Sequence, residues 1–495
     1  MKRLFYLAPL LVLGGCMVGP DYQRPEAPVE TSYGSLPPDT WKQSRPSDAA
    51  AKGRWWEVYG IPELNKLEEQ VSISNQNVLA AEALYRQARG AVRVAKSDLY
   101  PQAGSSPSAI NSSGSHWNSS QGRSNETTYT LPASLSWEID LWGGIRRNVE
   151  QNVATAQATE AQLENARLSY QTLLAQNYFT LRGLDAQIDL FERTIVSYDQ
   201  YLTITRNQYK SGIASEAAVA QAEAQLESAR VSLADSRLSR DQSEHAVAIL
   251  VGQTPAAFHL APAPLQAQPP HVPLIVPSDL LQRRPDIAQA ERTVAAANAG
   301  IGVATAAYYP ALTLNASAGT AGSGISSLLS VPSLFWSVGP SLSQSLFDAG
   351  RTHAQVYQAR AGYDSQVATY RETVLTAFQQ VEDDLTGLHF LELEARSQAK
   401  AVAASENSLR ITRNQYVSGT ASNLDVIVTE NIALSNEQNA VQIAIRRMTT
   451  SVALIQALGG GWEAGQLPDA KAASTIPGNL LQQSPAAAAV TGQAH

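Results

Sequence analysis

Ile204-Thr205-Arg206-Asn207-Gln208-Tyr209 returns further along the chain as Ile411-Thr412-Arg413-Asn414-Gln415-Tyr416. Ser211-Gly212 follows the first copy and Ser418-Gly419 the second, and Ala214-Ser215 is matched by Ala421-Ser422. Other landmarks keep nearly the same spacing: Tyr100-Pro101 with Tyr309-Pro310, Ala81-Glu82 with Ala290-Glu291, and Leu141 to Arg146 with Leu346 to Arg351. The copies lie far more than the ~20–50 residues of a solenoid repeat apart, so each half is a large structural unit.

Around the repeated hexapeptide the pattern is helical. Leu174, Leu181, Leu184, Ile188, Phe191, Ile195, Tyr198 and Leu202 step by seven and then by threes and fours, the spacing of a coiled-coil seam. No proline interrupts Ile145 to Tyr209 or Thr352 to Tyr416. At ~1.5 Å per residue each run predicts one rod of roughly 100 Å. After Gly212 a seam of small residues resumes with Val219, Ala222, Leu226, Ala229 and Leu233. Glycine just past a helix is the expected left-handed cap, so Ser211-Gly212 and Ser418-Gly419 should turn two very long helical hairpins.

Upstream of each rod the period drops to two. Tyr129, Leu131, Ala133, Leu135, Trp137, Ile139 and Leu141 alternate with Thr128, Thr130, Pro132, Ser134, Ser136, Glu138 and Asp140. In the second half Leu334, Trp336, Val338, Leu342 and Leu346 oppose Ser333, Ser337, Ser341, Ser343 and Ser345, with Phe335 and Gln344 as misfits. One apolar and one polar face, over runs longer than ordinary strands, suits strands that cross a membrane. Shorter candidates, 102–110 and 311–319, precede them, giving four strands per chain.

The composition narrows the function. Of the 495 residues 16% are charged, and the net charge of -8 opposes nucleic-acid binding. Cys16 is the only cysteine, which excludes disulfide scaffolds and multi-cysteine zinc sites. The seven histidines are scattered, and Gly300-Ile301-Gly302 begins a dinucleotide fingerprint that fails at Thr305. Asp383-Asp384, on a long polar helix, is expected to be a solvated face. No catalytic residue, cofactor or metal site is expected.

Lys2 and Arg3 precede the apolar run Leu4 to Leu13, and Leu13-Gly14-Gly15-Cys16 ends it as a lipobox would, which assigns lipidation to Cys16. The expected organisation is a signal peptide over 1–15, an anchor and arm over 16–65, and a first repeat over 66–254. A linker over 255–280, a second repeat over 281–461 and a partly disordered tail over 462–495 complete it. Four strands leave two unpaired edges, which hydrocarbon does not tolerate, and membrane barrels have at least eight strands. Several copies must therefore share one barrel, with the helices projecting from it as a tube.

Cys16-Met17-Val18-Gly19-Pro20-Asp21-Tyr22-Gln23-Arg24-Pro25 resembles the N-terminus of TolC-like outer-membrane efflux lipoproteins, the branch often labelled NodT. Trp55-Trp56 with Leu64, and Arg283-Arg284-Pro285-Asp286-Ile287 with Ala290-Glu291, match the same pattern. The resemblance implies an α+β membrane protein: a homotrimer whose twelve-stranded β-barrel continues as a periplasmic α-helical barrel. It implies sorting to the outer membrane, since Met17 rather than aspartate follows Cys16. It also implies outer-membrane lipid, a periplasmic adaptor (membrane fusion protein) and an inner-membrane pump of the resistance-nodulation-division type as partners.

The resemblance places adaptor contact at Ser211, Gly212, Ile213 and Ala214 and at Ser418, Gly419, Thr420 and Ala421. TolC's gate carries two aspartates three residues apart; here the first is Asp425 and the second position holds Val428. Tyr416 matches a tyrosine of TolC's closing contacts, while Ala421 and Ala218 replace its arginine and aspartate, so those ion pairs cannot form. Closure is expected to use apolar packing of Leu424 and Val428 with contacts of Tyr416 and Arg413, and Asp425 to form an anionic ring. The leading function is the exit duct of a tripartite pump exporting small toxic compounds. The alternatives are the duct of a type I protein-secretion system and a periplasmic coiled-coil lipoprotein acting as adaptor or tether.

Overall fold

The computed structural model describes residues 17–28, 53–114, 124–265, 268–270, 281–327 and 331–475. Helices α1 (Pro62–Ser74) and α2 (Gln76–Ser97) lead into strands β1 (Gln102–Ser105), β2 (Ser108–Gly114) and β3 (Ser124–Ile139). Two long helices follow, α3 (Gly144–Lys210) and α4 (Glu216–Leu250). The second half runs α5 (Pro285–Ala306), β4 (Ala311–Gly322), β5 (Leu334–Ser343), α6 (Arg351–Val417) and α7 (Asn423–Ala457), and ends in the short α8 (Ala470–Ala473).

Both halves thus build a 67-residue helix followed by a 35-residue one. The rods start at left-handed glycines, Gly143 (φ 79°) and Gly350 (φ 87°), and nothing inside them breaks the hydrogen-bond ladder. Leu174, Leu181, Phe191, Tyr198 and Leu202 of the expected seam are buried. Near the tip Tyr198, Tyr201 and Leu202 pack on Ala222, Leu226, Ala229 and on Val426 of α7. Contacts of α3 with α4, α6 with α7, and α3 with α7 set the hairpins side by side. The largest core gathers Trp55, Trp56, Tyr59, Leu64, Phe179, Met448 and Val452 partway along the rods.

All strands pair antiparallel in one sheet. The expected single strand over 102–110 is broken at Ser106-Pro107, because proline has no N–H to give a ladder. The two pieces still share one edge of β3. Gly104 and Ser317 flank Ser134, and Ser108 and Ala321 flank Thr130. Four strand positions remain. β3 begins earlier than expected, at Ser124, and stops at Ile139; β5 stops at Ser343, so Ser345 and Leu346 lie beyond it.

Register makes the faces coherent. Rows Ile139–Leu312–Leu342, Trp137–Leu314–Pro340 and Leu135–Ala316–Val338 share one side. Rows Ser136–Asn315–Gly339 and Ser134–Ser317–Ser337 share the other, where Ser317 and Ser337 hydroxyls bond at 2.8 Å. Among the described residues the outer edges of β1/β2 and of β5 have no strand partner.

Of the tail over 462–495, residues up to Thr475 are described. Up to Thr475 it packs on the body: Ala473 is buried with Val92, Val153 and Ala156, and Gln157 Nε2 donates to the Pro468 carbonyl at 2.9 Å.

Candidate functional site

The two tips are built alike because their sequences are alike. Gly212 N donates to Tyr209 O at 2.9 Å and Ile213 N to Gln208 O at 2.9 Å. Gly419 N donates to Tyr416 O at 3.0 Å and Thr420 N to Gln415 O at 2.9 Å. Gly212 (φ 73°) and Gly419 (φ 76°) supply the left-handed turn. Ser211, Gly212, Ile213, Ser418, Gly419 and Thr420 are exposed, and Ala214 and Ala421 half-buried. Ser215 and Ser422 cap the returning helices.

The five expected gate residues divide by direction. Arg413 and Tyr416 face the chain's own first hairpin. Arg413 donates to Glu430 Oε1 at 2.6 Å and to Ser197 Oγ at 2.9 Å. Tyr416 donates to Gln208 Oε1 at 2.5 Å, with its ring beside Tyr201. Leu424 and Val428 point away from the packed seam, 58% and 47% exposed. The Asp425 carboxylate accepts from Ser422 N at 2.8 Å and from Ser422 Oγ at 2.7 Å, closing a capping box. Those bonds hold it below the usual carboxylate range. Glu430 was invisible in the sequence. Burial raises its pKa while Arg413 opposes the rise. Gln225 of α4 also reaches Asn431 of α7 at 2.7 Å.

At the other end the arm over 17–28 lies across α3, α5 and α6. Val18 N donates to Trp142 O at 3.0 Å, and Asn298 Nδ2 to Pro20 O at 3.0 Å. Tyr22 donates to Glu291, and Arg24 Nε to Tyr370 Oη at 3.2 Å. A Cβ on Gly19 would stand 2.5 Å from Gly302 Cα, and one on Gly302 would stand 2.8 Å from Arg147 Cγ, so the broken dinucleotide fingerprint ends in a packing glycine where the arm, α3 and α5 meet. Trp142 stacks on Tyr309 at 4.7 Å below the sheet. Cys16 lies outside the described residues.

Arg284 explains its motif. It grips Asp286 through two bonds (3.0 and 2.6 Å), donates to Ala457 O at 2.9 Å and to Gln380 at 2.8 Å, and so ties the start of α5 to the end of α7. The expected solvated Asp383-Asp384 face is only half right. Asp383 is exposed, but Asp384 is half-buried on a cavity of about 460 Å³ shared with Arg284, Asp286 and Gln380. Burial, then the Asp383 charge, raises Asp384 to about 7, against the pull of Arg284. The linker is held by a buried ion cluster of Arg182, Asp185, Arg240 and Glu244, which bonds Leu260, Ala261 and Ala263 backbone groups.

Among the described residues no group of histidine, cysteine and acidic side chains could hold a metal ion. No described helix is long and apolar enough to cross a membrane.

The model of the outer membrane efflux protein family matches residues 67–253 and 276–460. The chain belongs to that family. It is 32% identical over 465 residues to the probable efflux pump outer membrane protein TtgC of Pseudomonas putida, covering 93% of this chain and 96% of that protein. It is 28% identical over 467 residues to the cation efflux system protein CusC of Escherichia coli, covering 93% and 99%. The solved outer-membrane channel OprN superposes with a TM-score of 0.83 at 30% identity, covering 90% of this chain and all of that one. VceC of Vibrio cholerae superposes at 0.75 with 29% identity, over 83% of this chain and all of that one. The protein is an outer-membrane efflux component with the TolC-like fold, of a family of transport conduits.

Proposed function

We propose that three copies close a twelve-stranded barrel, continued by a tube of twelve long helices, as the exit duct of a tripartite pump that expels small toxic compounds. One observation carries this reading: a sheet with a continuous apolar face and two unpaired edges, joined to helical hairpins about 100 Å long. Strand edges cannot stay open in hydrocarbon, and only a closed ring satisfies them. Relatives named for antibiotic, toluene and cation efflux favour small molecules over a secreted protein. The exposed apolar strand face opposes a soluble tether, since water would have to cover Trp336, Val338 and Leu342.

In this reading Cys16 is acylated, the tips at 211–214 and 418–421 meet a periplasmic adaptor and its inner-membrane pump, and the tube closes at Leu424, Asp425 and Val428. Arg413 and Tyr416 act one step back, fixing α6 and α7 against the first hairpin of the same chain. Heat-modifiable, sheet-rich trimers in outer-membrane fractions test the assembly; lone subunits without sheet signal would sink it. Asp425→Ala trimers in planar bilayers test the anionic ring, whose removal lowers cation preference.

A further inference from the structure

Phe335 broke the alternation of its strand, and the register assigns it a place. It pairs with Gly319 of β4, which pairs with Pro132 of β3. That row lies on the same face as Ser134, Ser317 and Ser337, the polar side of the sheet. Phe335 is half-buried although β5 is an edge strand, whereas its neighbours Leu334 and Trp336 on the opposite face are 64% and 75% exposed. Among the described strand residues it is the one aromatic side chain on the polar face.

The row is built around it. A Cβ on Gly319 would sit 2.4 Å from Leu131 O and 2.8 Å from Pro132 Cα, so no side chain fits there. Pro132 brings a ring and no N–H. Glycine facing an aromatic across a strand pair is a sheet-stabilising device that leaves the ring over bare backbone. At ~3.4 Å per residue, Phe335 stands roughly 27 Å along β5 from Ser343, toward the end of the sheet remote from the helices.

We infer that Phe335 faces the lumen and that its three copies form an aromatic collar in a wall whose other side chains, mostly hydroxyl, amide and carboxylate groups with Ile110, Pro132 and Ala321, offer no π-surface. Solutes with aromatic rings, lipophilic aromatic cations above all, meet there a π-surface that the Ser and Thr rows do not offer. Phe335 is therefore a specificity-determining residue of the duct. This inference rests on the closed-barrel reading proposed above.

The chain's single cysteine makes the test direct. Phe335→Cys and Trp336→Cys are expressed separately and exposed in intact cells to a charged, membrane-impermeant maleimide, with the wild-type signal subtracted. Phe335→Cys is expected to label and Trp336→Cys, on the lipid side, to resist. Labelling of Trp336→Cys alone would overturn the lumen assignment. Equal labelling of both would instead refute the barrel. Equilibrium dialysis of tetraphenylphosphonium and of tetrabutylammonium against detergent-solubilised protein then tests the collar. Phe335→Ser is expected to weaken tetraphenylphosphonium binding roughly threefold to tenfold, Phe335→Tyr to keep it, and neither to move tetrabutylammonium. Unchanged tetraphenylphosphonium binding in Phe335→Ser would overturn the collar and leave the barrel standing.

Discussion

Replacing Arg147 with methionine should release the N-terminal arm without unfolding the rods. The guanidinium is 2% exposed and donates to Val18 O (3.2 Å), Gly19 O (3.3 Å), Asp21 Oδ1 (2.9 Å) and Glu150 Oε2 (2.7 Å). Asp21 is almost fully exposed, so its pairing contributes only ~0–1 kcal/mol. The two carbonyls matter more. Each loses a charged donor, at ~1–3 kcal/mol apiece. Methionine keeps most of the apolar stem, so the loss is electrostatic rather than a cavity. The total comes to roughly 2–7 kcal/mol, and the ~3–5 kcal/mol typical of breaking a buried ionic cluster lies at its centre. Because 17–28 is peripheral, the loss should appear as local opening. Hydrogen exchange at the Val18 amide, which donates to Trp142 O, reads that opening directly. At the central ~3–5 kcal/mol, an acceleration of about two to four orders of magnitude is expected, with Asp21→Asn changing it less than about fivefold. If Val18 exchange in Arg147→Met stays within about threefold of wild type, the arm is held by something else and the reasoning fails.

Three further outcomes follow from single residues. Ala349, at φ 54°, is the one non-glycine residue in the left-handed region among those described; Ala349→Gly should stabilise by about 1 kcal/mol, read as a raised Tm. Asp384 is raised from the ordinary aspartate value to about 7, so the folded state holds a proton that the unfolded state has lost between those limits. Stability should fall as pH climbs from about 4 to about 7, and Asp384→Asn should flatten that slope in denaturant titrations; an unchanged slope counts against the assignment. Glu68 is fully buried, neither carboxyl oxygen has a hydrogen-bond partner, and burial raises its pKa well above the usual range. Glu68→Met should therefore stabilise the fold at neutral pH by roughly 1–3 kcal/mol, whereas a loss would reveal a partner for the carboxyl group.

Much of the architecture was legible because it rests on local rules. The proline-free runs became α3 and α6, the Ser-Gly pairs became hairpin turns, and the alternating runs became strands with one apolar face. The break at Ser106-Pro107 follows from the same local rules, since proline denies a ladder bond, but the expected strand over 102–110 ran through it. The candidate gate was half legible. Leu424, Asp425 and Val428 could be placed on the return helix, yet nothing local says that Arg413 reaches Glu430 and Ser197 or that Tyr416 reaches Gln208. Those partners come from other helices. The same holds for the linker clamp of Asp185, Arg240 and Glu244, which in sequence looks like ordinary helix-surface charge.

Taken alone, the sequence determined element type, element length and duplication, because backbone sterics, side-chain period and the special torsions of glycine and proline act within a few residues of where they are written. Tertiary structure decided which charges are buried, where the arm over 17–28 and the segment up to Thr475 pack, and that Phe335 shares a face with the hydroxyl rows rather than the apolar ones. Each of those depends on which distant segment arrives as neighbour, and strand register and helix packing, not local preference, make that choice.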